Sequence, residues 1–511
     1  MFNSRLLRLL SLGAVLAAVR IPYALTDHLQ DDALIIFRTA FNLADHGQLA
    51  FNLGETTTGV TSMVYALILA FLRATFGSAA LWATIAVNTL FALAAAGLFA
   101  AALEQGARRV LLWAAIAILP ISLLVSYTGM ETALLLTALG LAAYGVTHAR
   151  TSRMLPVAAF VLPLVRLDAV GFAILFTGAC FLIERRRALH ALLALVLSVA
   201  IVAGATMLLT GTPVPQTAIA KALSYRSDRS ITGFLDQLEV LFLTHSYLLP
   251  FSTKYALFLS PIATMVSLLS SLLAVRLAWQ DSARRSTILA LVASAYLVPV
   301  AYAAGGVIFP WYLWPSTLIA NILELFVAFE LTRRLARPLR QLAATGIASV
   351  LAAAALVQWA ISYNVGHQES EYRAGVGRYL FSIAKPGDTL FLEPAGHIPF
   401  HARLKTWDEI GLVSNDVLEL KRAGHPDWWI RFVRKMRPTW LVQRSPLLDD
   451  KVTHDGYELS SEDSAWLQQN YEVVRRFKYD PEGGSTHPFG AWLLSLGSHS
   501  GYDVLRRRAA D

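Results

Sequence analysis

Long runs without a charged side chain alternate with short arginine-rich segments over most of the chain. A spanning helix needs about 20 apolar residues, so each of the longest runs can hold one or more membrane spans. The longest uncharged runs are 79–103, 188–220, 286–323 and 341–366. This pattern predicts a mostly α-helical bundle that crosses a membrane many times.

The apolar runs between the arginine clusters predict about eleven spans. We place them at 6–26, 79–104, 110–126, 131–147, 154–165, 169–183, 188–209, 251–275, 286–304, 315–332 and 341–361. Arg5 and Arg8 precede the first span, which we interpret as uncleaved, and the positive-inside rule puts the N-terminus in the cytoplasm. The C-terminal part of the chain then lies outside.

The apolar segment 61–76 is short, contains Arg73 and has two interpretations. It is either a brief span or a helix on the outer membrane surface. The surface helix keeps Arg108 and Arg109 on the cytoplasmic side with the later clusters, whereas a span inverts every cluster that follows. We therefore favour the surface helix, as part of an outer loop over 27–78.

The composition changes near residue 362 to a mixed, charged pattern. Alternating and β-branched stretches predict strands, and one basic-aromatic stretch, 428–436, predicts an amphipathic helix. The predicted strands are 388–394, 439–443, 471–479 and 491–497. The sequence thus predicts a transmembrane catalytic domain over 1–361 and a soluble, extracytoplasmic α/β domain over 362–511.

The overall composition supports a membrane protein, because 56% of residues are hydrophobic and only 15% are charged, whereas soluble domains carry about 25% charge. The net charge of +8 does not indicate nucleic acid, because the arginine clusters follow the positive-inside rule. Cys180 is the one cysteine, which excludes an internal disulfide. We find no HExxH, Walker A, GxSxG or paired CxxC motif.

Two adjacent carboxylates, Asp31 and Asp32, open the outer stretch 29–62. One alternative is that an aspartate caps the following helix. A cap explains one carboxylate but not two beside a membrane, where acidic groups are costly. A carboxylate here can act as the general base that deprotonates an acceptor hydroxyl in sugar transfer. We slightly favour Asp31, with Asp32 orienting the acceptor, and the pair is also a candidate site for a divalent cation.

Three basic side chains of separate outer loops are candidates to bind a donor phosphate: Arg38, Arg166 and Lys221. Each alone has an ordinary alternative as a solvated or headgroup-facing residue. Asp168, two residues after Arg166, has a simple interpretation as its ion-pair partner. Because all three cations fall on one face of the predicted topology, a shared anion pocket is the favoured hypothesis.

Further polar and aromatic side chains of the outer face are candidates to bind substrate. They are Asn52 and Thr61 of the first loop, Tyr127 and Glu131 of SYTGMET, and Trp311 and Tyr312 of FPWYLW. The aromatic residues also fit an interfacial belt, and Glu131 also fits a helix cap. Glu324 lies inside a predicted span and has no evident partner in the sequence.

The stretch DDALIIFRTAFNLADHGQLAFNLGETTTGVTS resembles the opening motif of a branch of C-class (GT-C) membrane glycosyltransferases that includes the mycobacterial terminal arabinofuranosyltransferases. TGMETAL, VRLDAVGF, PVPQTAIAK, WYLWP and GHIPFHARLKTWDEIGL resemble later motifs of that branch. The chain departs from the branch at Leu53, at Thr56–Thr58 and at Gln216.

This resemblance implies a GT-C fold in a bacterial cytoplasmic membrane and a polyprenyl-phosphate sugar donor, with arabinofuranose one candidate sugar. It also implies transfer outside the membrane to a cell-envelope glycan, lipid or protein, and an acid of the first outer loop, Asp31 or Asp32, as the base. The alternative is a transporter or flippase of a lipid-linked glycan. Transporters place charges in mid-membrane, and here the charges gather in outer loops, so we favour an inverting transferase.

Overall fold

The computed structural model describes residues 4–225, 230–244, 256–306, 308–444, 447–450, 453, 458–478 and 501–508. Most of these residues form helices. The helices of the first part are α1 Ser4–Ala18, α2 Ile21–Ala24, α3 Asp31–His46, α4 Met63–Phe76, α5 Ala80–Leu103, α6 Gly106–Ala117, α7 Pro120–Tyr127, α8 Thr132–Thr147, α9 Met154–Val165, α10 Val170–Phe181, α11 Arg185–Thr210, α12 Gln216–Ser224, α13 Ile231–Glu239, α14 Ala256–Leu277, α15 Ser282–Gly305, α16 Pro310–Arg333 and α17 Arg337–His367.

Seven helical stretches among the described residues are long and apolar enough to cross a membrane, or up to eight if the bent pair of α6 and α7 forms one span. Three shorter apolar helices lie at Thr132–Thr147, Met154–Val165 and Leu167–Phe181. The predicted spans therefore overlap apolar helices where the structure describes them, with 110–126 on the bent pair of α6 and α7. The predicted number of eleven is larger than the seven or eight helices of spanning length, because the three shorter helices fall below the about 20 residues of a full span. The predicted polytopic helical bundle is confirmed.

The predicted surface segment 61–76 forms α4, which the Ser62 hydroxyl caps by accepting from the Tyr65 amide at 3.3 Å. Gly77, with φ 56°, ends this helix, and α5 follows almost at once. The stretch Met63–Leu103 together gives 41 apolar helical residues. That length exceeds one span of about 20 residues, and a surface position for α4 stays a prediction.

An arginine holds together the break between α6 and α7, which are bent by 61°. A broken helix leaves carbonyl groups without their helical donors, and lipid cannot satisfy them. The guanidinium of Arg20 donates to the carbonyl oxygens of Leu16 at 2.6 Å and Ala117 at 2.7 Å, and to Ser126 Oγ at 2.9 Å. Arg20 is 2% exposed, so it stabilises the break from inside the bundle.

The C-terminal part of the chain folds into a mixed α/β domain with a five-stranded sheet in the order β2-β1-β3-β5-β4. The first three strands are parallel, and β5 is antiparallel to β3 and β4. The strands are β1 Thr389–Leu392, β2 Lys405–Asp408, β3 Trp440–Arg444, β4 Tyr471–Phe477 and β5 Tyr502–Arg507. The helices are α18 Ala374–Ile383, α19 His397–Ala402, α20 Asn415–Arg422, α21 Trp428–Met436, α22 Leu447–Asp450 and α23 Ser461–Asn470.

The predicted C-terminal α/β domain is confirmed, and three of its predicted strands overlap β1, β3 and β4. The predicted strand 491–497 lies outside the described residues. The basic-aromatic stretch forms α21, whose Trp429 and Phe432 are fully buried against Phe391 of β1. The aromatic side of α21 therefore faces the sheet of the domain.

Candidate active site

A cavity of about 370 Å³ lies among the ends of α3, α8, α12, α15 and α16 and the turn between α9 and α10. The structure brings seven of the eleven predicted site residues to its wall. They are Asp32, Thr61, Glu131, Arg166, Lys221, Trp311 and Tyr312. The lining is otherwise mainly apolar, which suits a ligand that combines one charged group with an apolar part.

Lys221 faces Asp32 across this cavity. It lies in the last turn of α12, is 7% exposed, and its Nζ is 3.4 Å from Asp32 Oδ2. The same ammonium donates to the hydroxyl of Tyr312 at 3.0 Å. Burial alone lowers the pKa of a lysine, but the Asp32 carboxylate outweighs it, so the pKa of Lys221 is raised above its usual range. Lys221 therefore stays a cation in the cavity.

Arg166 is the second buried cation of the cavity, and Asp168 of the same turn orients it. Its Nε and Nη2 donate to the two oxygens of Asp168 at 3.0 Å and 2.5 Å, and Tyr302 donates to Asp168 at 2.6 Å. Arg166 is 4% exposed, and its Nη1 has no hydrogen-bond partner. A buried N–H without a partner costs free energy unless a ligand accepts from it. The guanidinium is thus fixed and has a donor left over for an anion.

Glu131 adds a buried acceptor beside Arg166. One carboxylate oxygen lies 3.8 Å from Arg166 Nε, and the other has no hydrogen-bond partner. Glu131 precedes α8 without capping it through its side chain. An uncommitted oxygen in a cavity of this kind is suited to a hydroxyl group of a ligand.

Aromatic rings form the wall of the cavity opposite Asp32. Phe309 and Trp311 stack at 4.8 Å, and the Arg166 guanidinium lies 5.0 Å from the centre of the Tyr312 ring. The indole Nε1 of Trp311 is buried without a hydrogen-bond partner. Trp311 and Tyr312 therefore line the cavity at the start of α16 and do more than mark the membrane interface.

The structure places Asp31 away from this cavity. Its carboxylate accepts from the backbone N–H groups of Gly396 at 3.0 Å and His397 at 2.8 Å, in the C-terminal domain. Asp31 is the first residue of α3, whose N-cap is Gln30 with no side-chain capping bond. Neither aspartate is the N-cap residue. The two neighbouring carboxylates therefore lie in different surroundings, and only Asp32 of the two lines the cavity.

The surroundings of Asp31 bear on the candidate divalent cation. Ligand atoms of Asp31, Glu369 and His397 lie within 4.8 Å of one another. However, Arg373 Nη1 lies 2.9 Å from Glu369 and 3.9 Å from Asp31. The guanidinium already supplies the positive charge that a metal would bring, so this cluster fits an ion-pair contact between α3 and the C-terminal domain better than a metal site.

Arg38 and Asn52 also lie away from the cavity. Arg38 donates to the carbonyl oxygens of Phe51 at 2.9 Å, Pro399 at 2.8 Å and Leu404 at 2.7 Å. Asn52 donates to the carbonyl of Thr406 at 2.8 Å and accepts from the amide of the same residue at 3.0 Å. Both side chains therefore attach the first outer loop to the C-terminal domain.

Tyr127 contacts α17 instead of the cavity. Its hydroxyl lies 2.5 Å from Ser362 Oγ and accepts from Gln358 at 3.2 Å. The sequence analysis did not single out Tyr302, which lines the cavity and orients Asp168. Its position near the outer end of a predicted span is the one signal that the sequence offered.

Comparisons with known proteins give a fold but no established family. Residues 359–496 match a family described as "Domain of unknown function (DUF8728)". No curated protein matches the chain. The match covers most of the C-terminal domain and the end of α17, but not β5, and the family description assigns no activity.

Two solved structures are similar over nearly the whole chain. ArnT from Cupriavidus metallidurans bound to undecaprenyl phosphate is 13% identical, with a TM-score of 0.52, over 100% of this chain and 99% of that chain. The apo state of the same ArnT is 14% identical, with a TM-score of 0.51, over 93% and 97%. At this level of identity the likeness shows the fold alone. The chain is therefore a polytopic membrane protein with the GT-C fold.

Proposed function

We propose that this protein transfers a sugar from a polyprenyl-phosphate donor to an acceptor hydroxyl, with inversion at the anomeric carbon. One observation carries the proposal. A carboxylate, Asp32, shares a cavity with two buried cations, Lys221 and Arg166, and one of these has an N–H group without a partner. A phosphate leaving group needs cations, and an attacking hydroxyl needs a base.

In the proposed step, Asp32 takes the proton of the acceptor hydroxyl as its oxygen forms a bond to the anomeric carbon. The bond from that carbon to the phosphate oxygen breaks, and its electron pair leaves on the phosphate. Arg166 and Lys221 stabilise the negative charge that develops there, because charge-assisted hydrogen bonds in a buried cavity are strong. Glu131, Trp311, Tyr312 and Thr61 hold the sugar.

The fold supports a lipid-linked donor. The structure of the similar ArnT holds undecaprenyl phosphate, a ligand with one anionic group and a long apolar chain. The cavity of this chain matches both parts of such a ligand, because it has two cations for the anionic group and an otherwise mainly apolar lining for the chain. We therefore keep Arg166 and Lys221 as the proposed binding residues of the donor phosphate. Arg38 is no longer proposed for that role, because it holds the first outer loop to the C-terminal domain.

The identity of the sugar rests on the sequence resemblance. The resemblance favours arabinofuranose as the sugar, and transfer on the outer face of the membrane to a cell-envelope glycan, lipid or protein. Asp32 takes the place of Asp31 as the proposed base, because it alone of the two lines the cavity.

The experiment is transfer from radiolabelled polyprenyl-phosphate sugars by the purified full-length protein, with arabinofuranose, mannose and galactose donors compared. We expect release of polyprenyl phosphate that depends on an acceptor. A transporter instead moves intact donor across proteoliposomes without breaking its sugar–phosphate bond. Movement without cleavage for all three donors is the result that excludes the proposal.

A further inference from the structure

A second cavity, of about 540 Å³, lies between α12 and the turn that joins α20 to α21 in the C-terminal domain. Its walls are Ser224 and Tyr225 on one side and Lys421, His425 and Trp428 on the other. The lining is more polar than that of the cavity at Asp32, with polar and apolar surface in similar amounts. The volume falls within the range of about 300–1,000 Å³ that is typical of ligand pockets.

The polar groups of this cavity are held in place before any ligand binds. Lys421 Nζ lies 4.2 Å from the centre of the Trp428 ring and donates to Ser224 Oγ at 2.8 Å, so it joins the two walls. The Ser224 hydroxyl in turn donates to the carbonyl of Ile410 at 3.2 Å. Preorganised polar groups lower the entropic cost of binding.

The chemistry of this lining fits a hydroxyl-rich ligand. An indole ring, an ammonium group, an imidazole and a hydroxyl together offer an apolar surface, donors and an acceptor. Among the described residues the lining contains no carboxylate, so these residues offer no counterion to a cationic ligand. A polyprenyl chain is a poor occupant, because it cannot satisfy these polar groups.

The position of the cavity relates it to the acceptor. Ser224 follows Lys221 by three residues on α12, which corresponds to about 4.5 Å along a helix axis. Helix α12 therefore carries Lys221 of the cavity at Asp32 and, one turn later, Ser224 of the second cavity.

We propose that the cavity formed by Ser224, Lys421, His425 and Trp428 binds a glycan acceptor beside α12, the helix that also carries Lys221. The proposal rests on the proposed transferase function, because it takes the bound glycan to be the acceptor of that reaction. It also gives the C-terminal domain a direct part in the choice of substrate.

The test measures binding of defined trisaccharides of arabinofuranose, mannose and galactose to the full-length protein by saturation-transfer NMR. We expect at least one trisaccharide to bind, and Lys421→Gln and His425→Ala each to weaken that binding about tenfold, as expected for loss of one hydrogen bond in a polar pocket. Lys435→Gln is the matched control, because Lys435 is exposed on α21, outside the cavity. It should bind like wild type.

Binding of undecaprenyl phosphate, measured separately by thermal shift, should be the same in all four proteins. Its absence in wild type counts against the donor proposal, whatever the trisaccharides do. If wild type binds undecaprenyl phosphate but no trisaccharide, or if neither cavity substitution weakens trisaccharide binding, the acceptor cavity is refuted. Binding of inorganic phosphate that Lys421→Gln abolishes, without trisaccharide binding, identifies an anion site and also overturns the proposal.

Discussion

Replacing each aspartate of the adjacent pair by asparagine separates catalysis from domain attachment. Asp32→Asn keeps the size of the side chain but removes the proton acceptor from the cavity. Loss of a general base typically lowers the rate ~10²–10⁴-fold, on the order of 3–5 kcal/mol of transition-state stabilisation. The variant should remain folded, because Asp32 is partly exposed and its ion pair with Lys221 is long, at 3.4 Å.

Asp31→Asn should have the opposite profile. The carboxylate of Asp31 accepts two backbone N–H groups, from Gly396 and His397, one on each oxygen. An amide offers only one oxygen, so one buried N–H loses its acceptor, at a cost of about 1–3 kcal/mol. We expect a lower melting temperature with near-normal turnover per folded molecule.

The assay is single-turnover transfer normalised to monodisperse protein, with the melting temperature of each variant measured in the same detergent. Asp32→Glu is a useful third variant, since it keeps the acid one methylene further from the backbone and should retain part of the activity. If Asp31→Asn is folded and inactive while Asp32→Asn turns over like wild type, the assignment of the base to the cavity is wrong.

Three further predictions follow from the structure. Lys221→Ala should weaken donor binding by roughly 10- to 150-fold, the value of one charge-assisted contact of about 1.5–3 kcal/mol, while the exposed Lys385→Ala has no effect; equal donor affinities for both variants exclude Lys221 from the site. Burial lowers the pKa of His28 to about 3, so between pH 3 and pH ~6.5 the unfolded state binds a proton at this histidine and the folded state does not. The free energy of unfolding therefore decreases as the pH falls from ~6.5 toward 3. His28→Gln should make the acid decrease of the melting temperature less steep, and an unchanged decrease contradicts the burial argument. In a background without Cys180, an impermeant thiol reagent should label Gly47→Cys from outside and Ala336→Cys only after lysis; the reverse pattern inverts the topology.

The arrangement of the helices was largely predictable because apolar length is a local property of the sequence. Each uncharged run gave a helix close to its predicted position, and the arginine clusters separated them. The break between α6 and α7 was not predicted, because its stabilisation depends on Arg20, a cation from the turn between α1 and α2. In the sequence, Arg20 is a single basic residue near the end of the first apolar segment, with no sign of its partners.

The different positions of Asp31 and Asp32 could not be predicted for a similar reason. Adjacent residues at the start of a helix point about 100° apart, so the sequence indicated that only one can face a substrate. Which one does so depends on where Gly396 and His397 lie, and these follow more than 360 positions later. The resemblance restricted the base to two residues, and the docking of the C-terminal domain distinguishes them.

Arg38 and Arg166 show what the predicted topology could and could not provide. Both arginines were predicted on the outer face, and the structure buries Arg166 and half-buries Arg38. The N–H groups of Arg38 meet fixed acceptors, mostly backbone carbonyls. Arg166 meets carboxylates that orient it and leave Nη1 without a partner. A loop assignment thus predicts the side of the membrane, whereas the capacity to bind an anion depends on which donors the fold leaves unsatisfied.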